Sequence, residues 1–282
     1  MRRRAAVVAA AVLAASLAAA VPALPASGAD YPGVPTSPGP WTPTDPVGPD
    51  GFRHPTAATR IWRAESPSVV RIGTSVRGRA IVARRQGPAD APYALLVLGQ
   101  MHGSEPAGRR VVERVRALRA PGSVQVWTIS TMNPDGSVAG TRRNARGVDL
   151  NRNFPHRWAP TYTSRIYFPG TSAASEPETR AMMRFLDQLR PDLVVSLHQA
   201  FNSVDLGNPK TRAWAARLAA AFGLPTRTVP CRGPCAGTLT GWYNTTYAGF
   251  AVTVELPATV PDAAARRYAR AALSVGGRIP TG

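Results

Sequence analysis

Short apolar runs that alternate with amphipathic segments restrict this chain to one class of fold. Four runs are apolar almost throughout, as expected of strands buried on both faces of a sheet, and they cover residues 93–98, 124–129, 193–197 and 250–256. Segments with helical spacing of apolar residues lie between or after them, at 106–119, 176–189, 212–222 and 262–273. The pattern predicts one α/β domain with a mixed, mostly parallel central sheet and helices on both faces.

Polar residues fall where these strands end. Before the first run, β-rich segments at 68–76 and 80–85 flank Arg77-Gly78, which predicts an antiparallel hairpin on one side of the sheet. Ligands of such sheets bind beyond the C-terminal ends of the parallel strands. His102, His198 and Glu255 lie at or just past predicted strand ends, so we expect a functional site at this edge.

Two histidines and a glutamate have the composition of a catalytic zinc site. His102 and Glu105 lie in the loop after the 93–98 run, and His198 ends the 193–197 run. Two imidazoles and one carboxylate leave zinc an open position for water, so one zinc ion is expected. An ordinary polar loop is the alternative, because His-x-x-Glu alone is common. Pro106 suits the first position of a helix, which would make Glu105 the N-cap residue.

The other histidines are poorer ligands, since neither His54, in a Pro-rich segment, nor His156 lies at a strand end.

Asp149 is the expected hydrogen-bond partner of His102, because zinc-bound histidines usually donate their second N–H to a carboxylate or carbonyl. The alternative is that Asp149 is only a turn residue.

Two further features of the sequence add charged side chains to the set of candidate site residues. Asn151-Arg152 is a candidate anion clamp, because the planar fork of arginine can bind both oxygens of a carboxylate. Glu255 lies in an otherwise apolar strand, where a buried carboxylate needs either a partner or a task. A structural salt bridge is the alternative for Glu255.

The stretch from Leu95 to Leu256 resembles the zinc carboxypeptidase family. The matching features occur in family order: His102-Gly-Ser-Glu105, the Asn133-Pro134-Asp135-Gly136 turn, Arg142, Gly147-Val-Asp149-Leu-Asn151-Arg152-Asn153, His198 and Glu255. The resemblance implies the carboxypeptidase fold and zinc held by His102, Glu105 and His198.

The resemblance also implies roles for the remaining residues. Glu255 would be the general base that deprotonates the attacking water and later protonates the leaving amine. Arg142 would stabilise the oxyanion, with Arg143 as the alternative in register. Asn151 and Arg152 would hold the terminal carboxylate of the substrate, and Asp149 would orient His102.

The compact domain, the run 141–155, Leu197-His198-Gln199 and the segment from Cys231 to Asn244 are similar to the bacterial murein peptide amidase subgroup. This similarity implies cleavage between γ-D-glutamate and meso-diaminopimelate in wall peptides. Asp205 is a candidate for the distal amine, with a surface aspartate as the alternative. Ser104 stands where animal digestive members have an arginine, and no register selects a catalytic aromatic among Trp242, Tyr243 and Tyr247.

Several functions share this chemistry. A general metallocarboxypeptidase acting on ordinary peptides is the nearest alternative, and an acylamino-acid deacylase is another. A non-catalytic wall-binding protein on the same fold is the alternative from a different class, and a missing ligand or base would mark it. All of those residues are present here.

The N-terminal region predicts export. Residues 1–29 read as a signal peptide, with Arg2 to Arg4 ahead of an apolar run and small residues at its end. A membrane anchor is the alternative, but Pro22 and Pro25 close the run and no second apolar run of spanning length follows. Residues 30–55 form a Pro-rich extended lead-in, and 56–282 the catalytic domain. A secreted or wall-associated protein without a membrane span after cleavage is expected.

Charge and cysteine content fit that location. The net charge is +18, and removal of three arginines with residues 1–29 leaves +15. A basic exported protein adsorbs to polyanions such as cell-wall polymers, whereas no basic block interleaved with aromatics points to nucleic acid.

The two cysteines, Cys231 and Cys235, predict one short disulfide. A zinc pair would need further ligands, and a redox motif has two intervening residues instead of three.

Overall fold

The computed structural model describes residues 68–231 and 235–278, and there eight strands form one sheet in the order β1-β2-β4-β3-β5-β8-β6-β7. The strands are β1 (Val69–Thr74), β2 (Ala80–Gln86), β3 (Tyr93–Leu98), β4 (Val124–Ile129), β5 (Leu193–Gln199), β6 (Ser203–Asp205), β7 (Thr226–Arg227) and β8 (Phe250–Leu256). The central strands β4, β3, β5 and β8 pair in parallel, and the β1–β2 hairpin is antiparallel, as predicted. The predicted signal peptide, the lead-in and His54 lie outside the described residues.

Helices cover both faces of this sheet, as predicted. They are α1 (Ala107–Arg116), α2 (Pro134–Ala139), α3 (Pro177–Leu189), α4 (Arg212–Phe222), α5 (Leu239–Thr246) and α6 (Asp262–Gly276). Successive side chains of a strand point to opposite faces, and β4 shows both environments. Val126 belongs to the core that includes α1, α4 and α6, whereas Trp127 packs against Phe185 of α3, with ring centroids 5.5 Å apart.

The helix boundary beside the predicted metal ligands differs from expectation. Helix α1 begins at Ala107, and Pro106 is its N-cap residue. Glu105 therefore precedes the cap, and the prediction that it occupies the cap was wrong by one position. The reason is local: the Glu105 N–H donates to the His102 carbonyl at 3.0 Å, which closes a turn before the helix starts. The carboxylate of Glu105 stays available for other contacts.

Among the strands and α-helices of the described residues, four were not predicted, namely β6, β7, α2 and α5. The two strands contain three and two residues, too few for a period-two pattern. Helix α2 starts within the Asn133–Gly136 segment expected as a turn, and Asn133 caps it by accepting from the Gly136 N–H at 2.9 Å. Across the described ranges, no helix is long and apolar enough to span a membrane.

Candidate zinc centre and active-site cleft

Adjacent parallel strands bring the predicted ligands to one edge of the sheet. His102 follows the end of β3 by four residues, and His198 is the second-last residue of the neighbouring strand β5. In the β5–β8 ladder, His198 stands directly opposite Glu255. The loop that carries His102 lies against α2 so closely that a Cβ on Gly103 would sit 2.0 Å from the Gly136 carbonyl oxygen. Glycine at position 103 is therefore a steric requirement for the position of His102.

The ligand atoms of His102, Glu105 and His198 converge. Nδ1 of His102 lies 2.8 Å from Glu105 Oε1 and 3.3 Å from Nδ1 of His198. Nδ1 of His198 lies 3.1 Å from Glu105 Oε2. All three side chains are buried, and their ligand atoms lie within 4.8 Å of one another. Atoms bound to one tetrahedral zinc at about 2.0–2.1 Å are separated by roughly 3.3 Å, so this donor set fits zinc in both chemistry and spacing.

The second ring nitrogen of each histidine has its own partner. Nε2 of His102 lies 3.0 Å from Asp149 Oδ1, and Nε2 of His198 lies 3.2 Å from Ser196 Oγ. A proton held on Nε2 leaves the Nδ1 lone pair for a metal, as outer partners of metal ligands usually arrange. The contact of Asp149 agrees with its predicted role, whereas Ser196 was not predicted because a serine within an apolar strand gives no signal.

Charge compensation inside the cluster is strong. Burial alone would lower the pKa of His102, yet the carboxylates of Glu105 and Asp149 raise it above its ordinary value. Burial opposes ionisation of Glu105, but His102 and His198 hold the pKa of its carboxyl well below the usual range. The pKa of Asp149 is depressed in the same way by His102 and Arg142, despite complete burial. These carboxylates are therefore ionised, as cation ligands and their partners must be.

Glu255 has the environment of a proton acceptor held next to the cluster. It is 6% exposed and lines the same cleft as the three ligands. Its Oε2 has no hydrogen-bond partner among the described residues. Burial raises the pKa of Glu255, His198 opposes the rise, and the charge of Glu105 adds to it. No salt bridge engages Glu255 within these ranges, and its carboxylate accepts a hydrogen bond from the backbone N–H of Phe201.

Arg142 binds Asp149 and also reaches the cluster. Its Nε and Nη2 donate to Asp149 Oδ2 at 3.0 and 2.9 Å. Its Nη1 lies 3.2 Å from His102 Nδ1 and 3.4 Å from Glu105 Oε1. Arg143, the alternative in register, instead donates to the Arg165 carbonyl and does not line the cleft. The geometry thus favours Arg142 as the arginine beside the reacting groups.

The predicted clamp residues form a short 3-10 helix, Leu150–Arg152, whose N-cap is Asp149. Asp149 Oδ1 accepts from the Asn151 N–H at 3.0 Å. Asn151 Oδ1 accepts from the Leu239 N–H at 3.1 Å, which ties the clamp to the start of α5 and leaves the Asn151 Nδ2 donor for other groups. Asn151 and Arg152 both line the cleft, a cavity of about 430 Å³. One cavity therefore contains the metal ligands, the Glu255 carboxylate and the clamp.

Comparison with known sequences decides the family. A sequence profile of the zinc carboxypeptidase family matches residues 56–204, more than half of the chain. The chain belongs to the zinc carboxypeptidase family. It is therefore a metallopeptidase whose cofactor is zinc, and the described cluster of His102, Glu105 and His198 can hold that ion.

Relatives within this family include bacterial amidases. The chain is 31% identical to murein peptide amidase A of Escherichia coli over 215 residues, which is 70% of this chain and 86% of the relative. It is 32% identical to murein peptide amidase A of Vibrio campbellii over 182 residues, 59% of this chain and 71% of that protein. The crystal structure of murein-tripeptide amidase from Escherichia coli O157 superposes with a TM-score of 0.61 at 27% identity, covering 81% and 98% of the two chains.

In this zinc carboxypeptidase, the tyrosine that lines the cleft is not one of the three aromatic residues considered from sequence. Trp242 stacks on Phe154, and the hydroxyls of Tyr243 and Tyr247 donate to the Pro191 carbonyl and to Asp187. These three residues do not line the cleft, whereas Tyr167 does. The guanidinium carbons of Arg142 and Arg152 lie 5.3 and 5.6 Å from the centre of the Tyr167 ring. No fixed spacing relates Tyr167 to the motifs, so sequence reasoning had no signal for it.

The lining of the cleft also includes the disulfide and an aspartate. Cys231 and Cys235 are bonded as predicted, and both line the cleft. Asp205 also lines it and is partly buried. Its Oδ1 accepts from the Gly207 and Val229 N–H groups, each at 3.0 Å. His156 also lines the cleft, and among the described residues the ligand cluster consists of His102, Glu105 and His198.

Proposed function

We propose that the protein is an exported zinc amidase that releases meso-diaminopimelate from murein peptides by hydrolysing its bond to γ-D-glutamate. The observation that carries the peptidase part is one cleft that holds a zinc ligand set, a buried carboxylate with one unpartnered oxygen, and a carboxylate clamp. The similarity to murein peptide amidase A, which extends over 86% of that relative, supports the choice of bond.

In this proposal Glu255 moves the protons. Zinc, when bound by His102, Glu105 and His198, supplies a Lewis acid that lowers the pKa of water and polarises the scissile carbonyl. Glu255 takes a proton from water as the water oxygen bonds to the carbonyl carbon. The same proton passes to the amide nitrogen as the carbon–nitrogen bond breaks. The second proton of the water then moves from the new carboxyl group to the leaving amine, so a carboxylate and an ammonium group leave and Glu255 is regenerated as a carboxylate. The raised pKa of Glu255 suits a group that must both accept and return a proton.

The arginines divide two further tasks. Arg142 stands with Nη1 beside the ligand atoms, where it stabilises the negative charge that develops on the carbonyl oxygen. Arg152 and the Nδ2 of Asn151 bind the free carboxylate of the C-terminal residue. Asp149 orients both His102 and Arg142 through its two oxygens. Cleavage is thereby confined to the last residue of the chain.

Asp205 provides the selectivity for meso-diaminopimelate as the C-terminal residue of the substrate. meso-Diaminopimelate differs from ordinary C-terminal residues in carrying an ammonium and a second carboxylate at the end of its side chain. Two backbone N–H groups fix one oxygen of Asp205, so its other oxygen is the acceptor for the distal ammonium. The net charge of +15 after loss of residues 1–29 supports electrostatic association with an anionic wall, where this substrate occurs.

The test compares zinc-loaded mature protein with its Glu255→Gln variant on L-Ala-γ-D-Glu-meso-diaminopimelate, scoring free meso-diaminopimelate by mass spectrometry. We expect release by the wild type and a loss of at least about 100-fold in the variant, because general base catalysis contributes that much. Glu113→Gln, an exposed glutamate of α1 outside the cleft, is the matched control and should retain full activity.

Other outcomes separate the alternatives. Cleavage of ordinary C-terminal residues without release from the tripeptide would indicate a general carboxypeptidase and refute the wall-peptide assignment. Cleavage of N-acyl amino acids alone would indicate a deacylase. Binding to wall fragments without any hydrolysis, unchanged by Glu255→Gln, would indicate a non-catalytic wall-binding protein.

A further inference from the structure

We propose that Tyr167 is a positioning residue that holds Arg142 and Arg152 as a pair, so that the clamp binds the substrate carboxylate. This inference rests on the proposed function of the clamp. It concerns a residue that lines the cleft yet takes no part in metal binding or proton transfer.

One ring contacts two positive charges. The guanidinium carbon of Arg142 is 5.3 Å from the Tyr167 ring centre, and that of Arg152 is 5.6 Å from the same centre. Both distances are within the roughly 6 Å at which the negative face of an aromatic ring attracts a cation. Like charges held against one ring repel each other; burial and then the charge of Arg142 lower the pKa of Arg152, while Asp149 opposes the shift. An aromatic face offsets this repulsion without neutralising either charge.

The two arginines depend on the ring to different degrees. Arg142 is anchored independently by two hydrogen bonds from its guanidinium to Asp149. Arg152 donates from Nη1 to the backbone carbonyl of its neighbour Asn151 at 2.8 Å, a contact that fixes the side chain much less. Loss of the ring should therefore misplace Arg152 more than Arg142.

The backbone of Tyr167 is fixed to the same segment that it supports. Tyr167 ends a short 3-10 helix, and its N–H donates to the Ser164 carbonyl at 2.8 Å. The carbonyl of the next residue, Phe168, accepts from the Asp149 N–H at 2.8 Å. A backbone hydrogen bond therefore joins the segment that carries the Tyr167 ring to the segment that begins at Asp149 and contains Arg152. A positioning role requires such a link.

This role predicts a specific kinetic pattern. Holding the carboxylate contributes to ground-state and transition-state binding alike, so its loss raises KM more than it lowers kcat. For Tyr167→Leu on the tripeptide we expect KM to rise about tenfold, the size of one partly buried cation–π contact, with kcat reduced less than threefold. Tyr167→Phe keeps the aromatic face and should retain the wild-type KM.

The decisive experiment measures binding of two probes to the zinc-loaded mature protein by calorimetry. The probes are meso-diaminopimelate and its derivative with both carboxylates converted to amides. Tyr167→Leu should bind the acid about tenfold more weakly and the amide unchanged. Tyr167→Phe should match the wild type. Tyr162→Leu, which replaces an exposed tyrosine outside the cleft, is the matched control and should alter neither.

A shape-preserving variant covers the case in which leucine disturbs folding. Pentafluorophenylalanine at position 167 keeps the ring outline but reverses the charge of its face, so it should weaken acid binding as leucine does. Unchanged acid binding in both variants overturns the inference. So does equal weakening of both probes, which marks a structural role, and so does a Tyr167→Phe variant as weak as leucine. A wild type that binds acid and amide equally instead refutes the carboxylate clamp itself, and the proposed function with it.

Discussion

Asp149 is the residue whose replacement by asparagine tests the organisation of the site most directly. Its side chain is fully buried. Oδ1 contacts Nε2 of His102 and the Asn151 N–H, each at 3.0 Å, and Oδ2 accepts two hydrogen bonds from Arg142. Asparagine has nearly the same shape but offers one acceptor oxygen where the aspartate offers two.

Either orientation of that asparagine is unfavourable. If its oxygen faces His102, its NH₂ group points at two N–H donors of Arg142. If its oxygen faces Arg142, its NH₂ group opposes Nε2 of His102, and the histidine proton is driven to Nδ1, the atom that should bind metal. A hydrogen bond to a charged group contributes about 1.5–3 kcal/mol, and outer partners of metal ligands typically change affinity or activity by about 10–100-fold.

We therefore expect Asp149→Asn to weaken zinc binding by about 10–100-fold and to lower kcat/KM by at least as much. Zinc affinity would be measured by competition with a chelator, and activity on the tripeptide with zinc in excess. Asp262→Asn is the control, because Asp262 also pairs with two arginines, Arg114 and Arg266, but on the surface. An Asp149→Asn variant with wild-type zinc affinity and activity would refute the shared role of this carboxylate.

Two further perturbations have defined signs. Gly237→Ala should raise KM several-fold while leaving zinc content unchanged, because Gly237 has a φ of +66° and an added Cβ would lie 2.1 Å from the Arg152 carbonyl oxygen; kinetics and metal analysis check this, and an unaltered KM would contradict it. The second perturbation concerns Glu178. Burial raises the pKa of its carboxyl above the ordinary value of 4.5, and hydrogen bonds from Val76 and Asn144 oppose the rise. The folded state therefore binds the Glu178 proton more tightly than the unfolded state does. Stability should fall as pH rises from about 4.5 through the raised pKa, and the Glu178→Gln variant should gain stability over the wild type across that window in urea titrations; a difference that does not vary with pH would oppose this reading.

The sequence predicts the strands and the zinc ligands well because both depend on local composition and order. Strand β3 is apolar over its full length, and its predicted bounds agree with the structure. His102, Glu105 and His198 are brought together by the general rule that parallel strands present their C-terminal ends at one edge. The site could thus be anticipated before any distance was known.

The site residues and helix boundaries that were not predicted depend on tertiary contacts, which leave no local pattern in the sequence. Tyr167 is separated by many residues from Arg142, and only the folded chain brings its ring over the guanidinium group. Helix α5 contains glycine, threonine and asparagine, which are poor helix formers, and it is stabilised by packing on β8. Pro106 illustrates the limit at boundaries, since a turn closed by Glu105 moves the helix start by one residue.

His198 and Glu255 lie opposite each other on neighbouring strands, so the hydrolytic groups are built into the sheet, apart from the groups proposed to recognise the substrate. Because the two residues oppose each other on neighbouring strands, the distance between metal ligand and base is set by the spacing of the sheet, about 4.8 Å. The groups proposed to bind the substrate, such as Arg152 and Asp205, instead lie outside the central parallel strands. Insertions and substitutions in those segments can therefore change which C-terminal residue is accepted without disturbing the hydrolytic centre, which makes the cleft wall the natural place to re-engineer specificity.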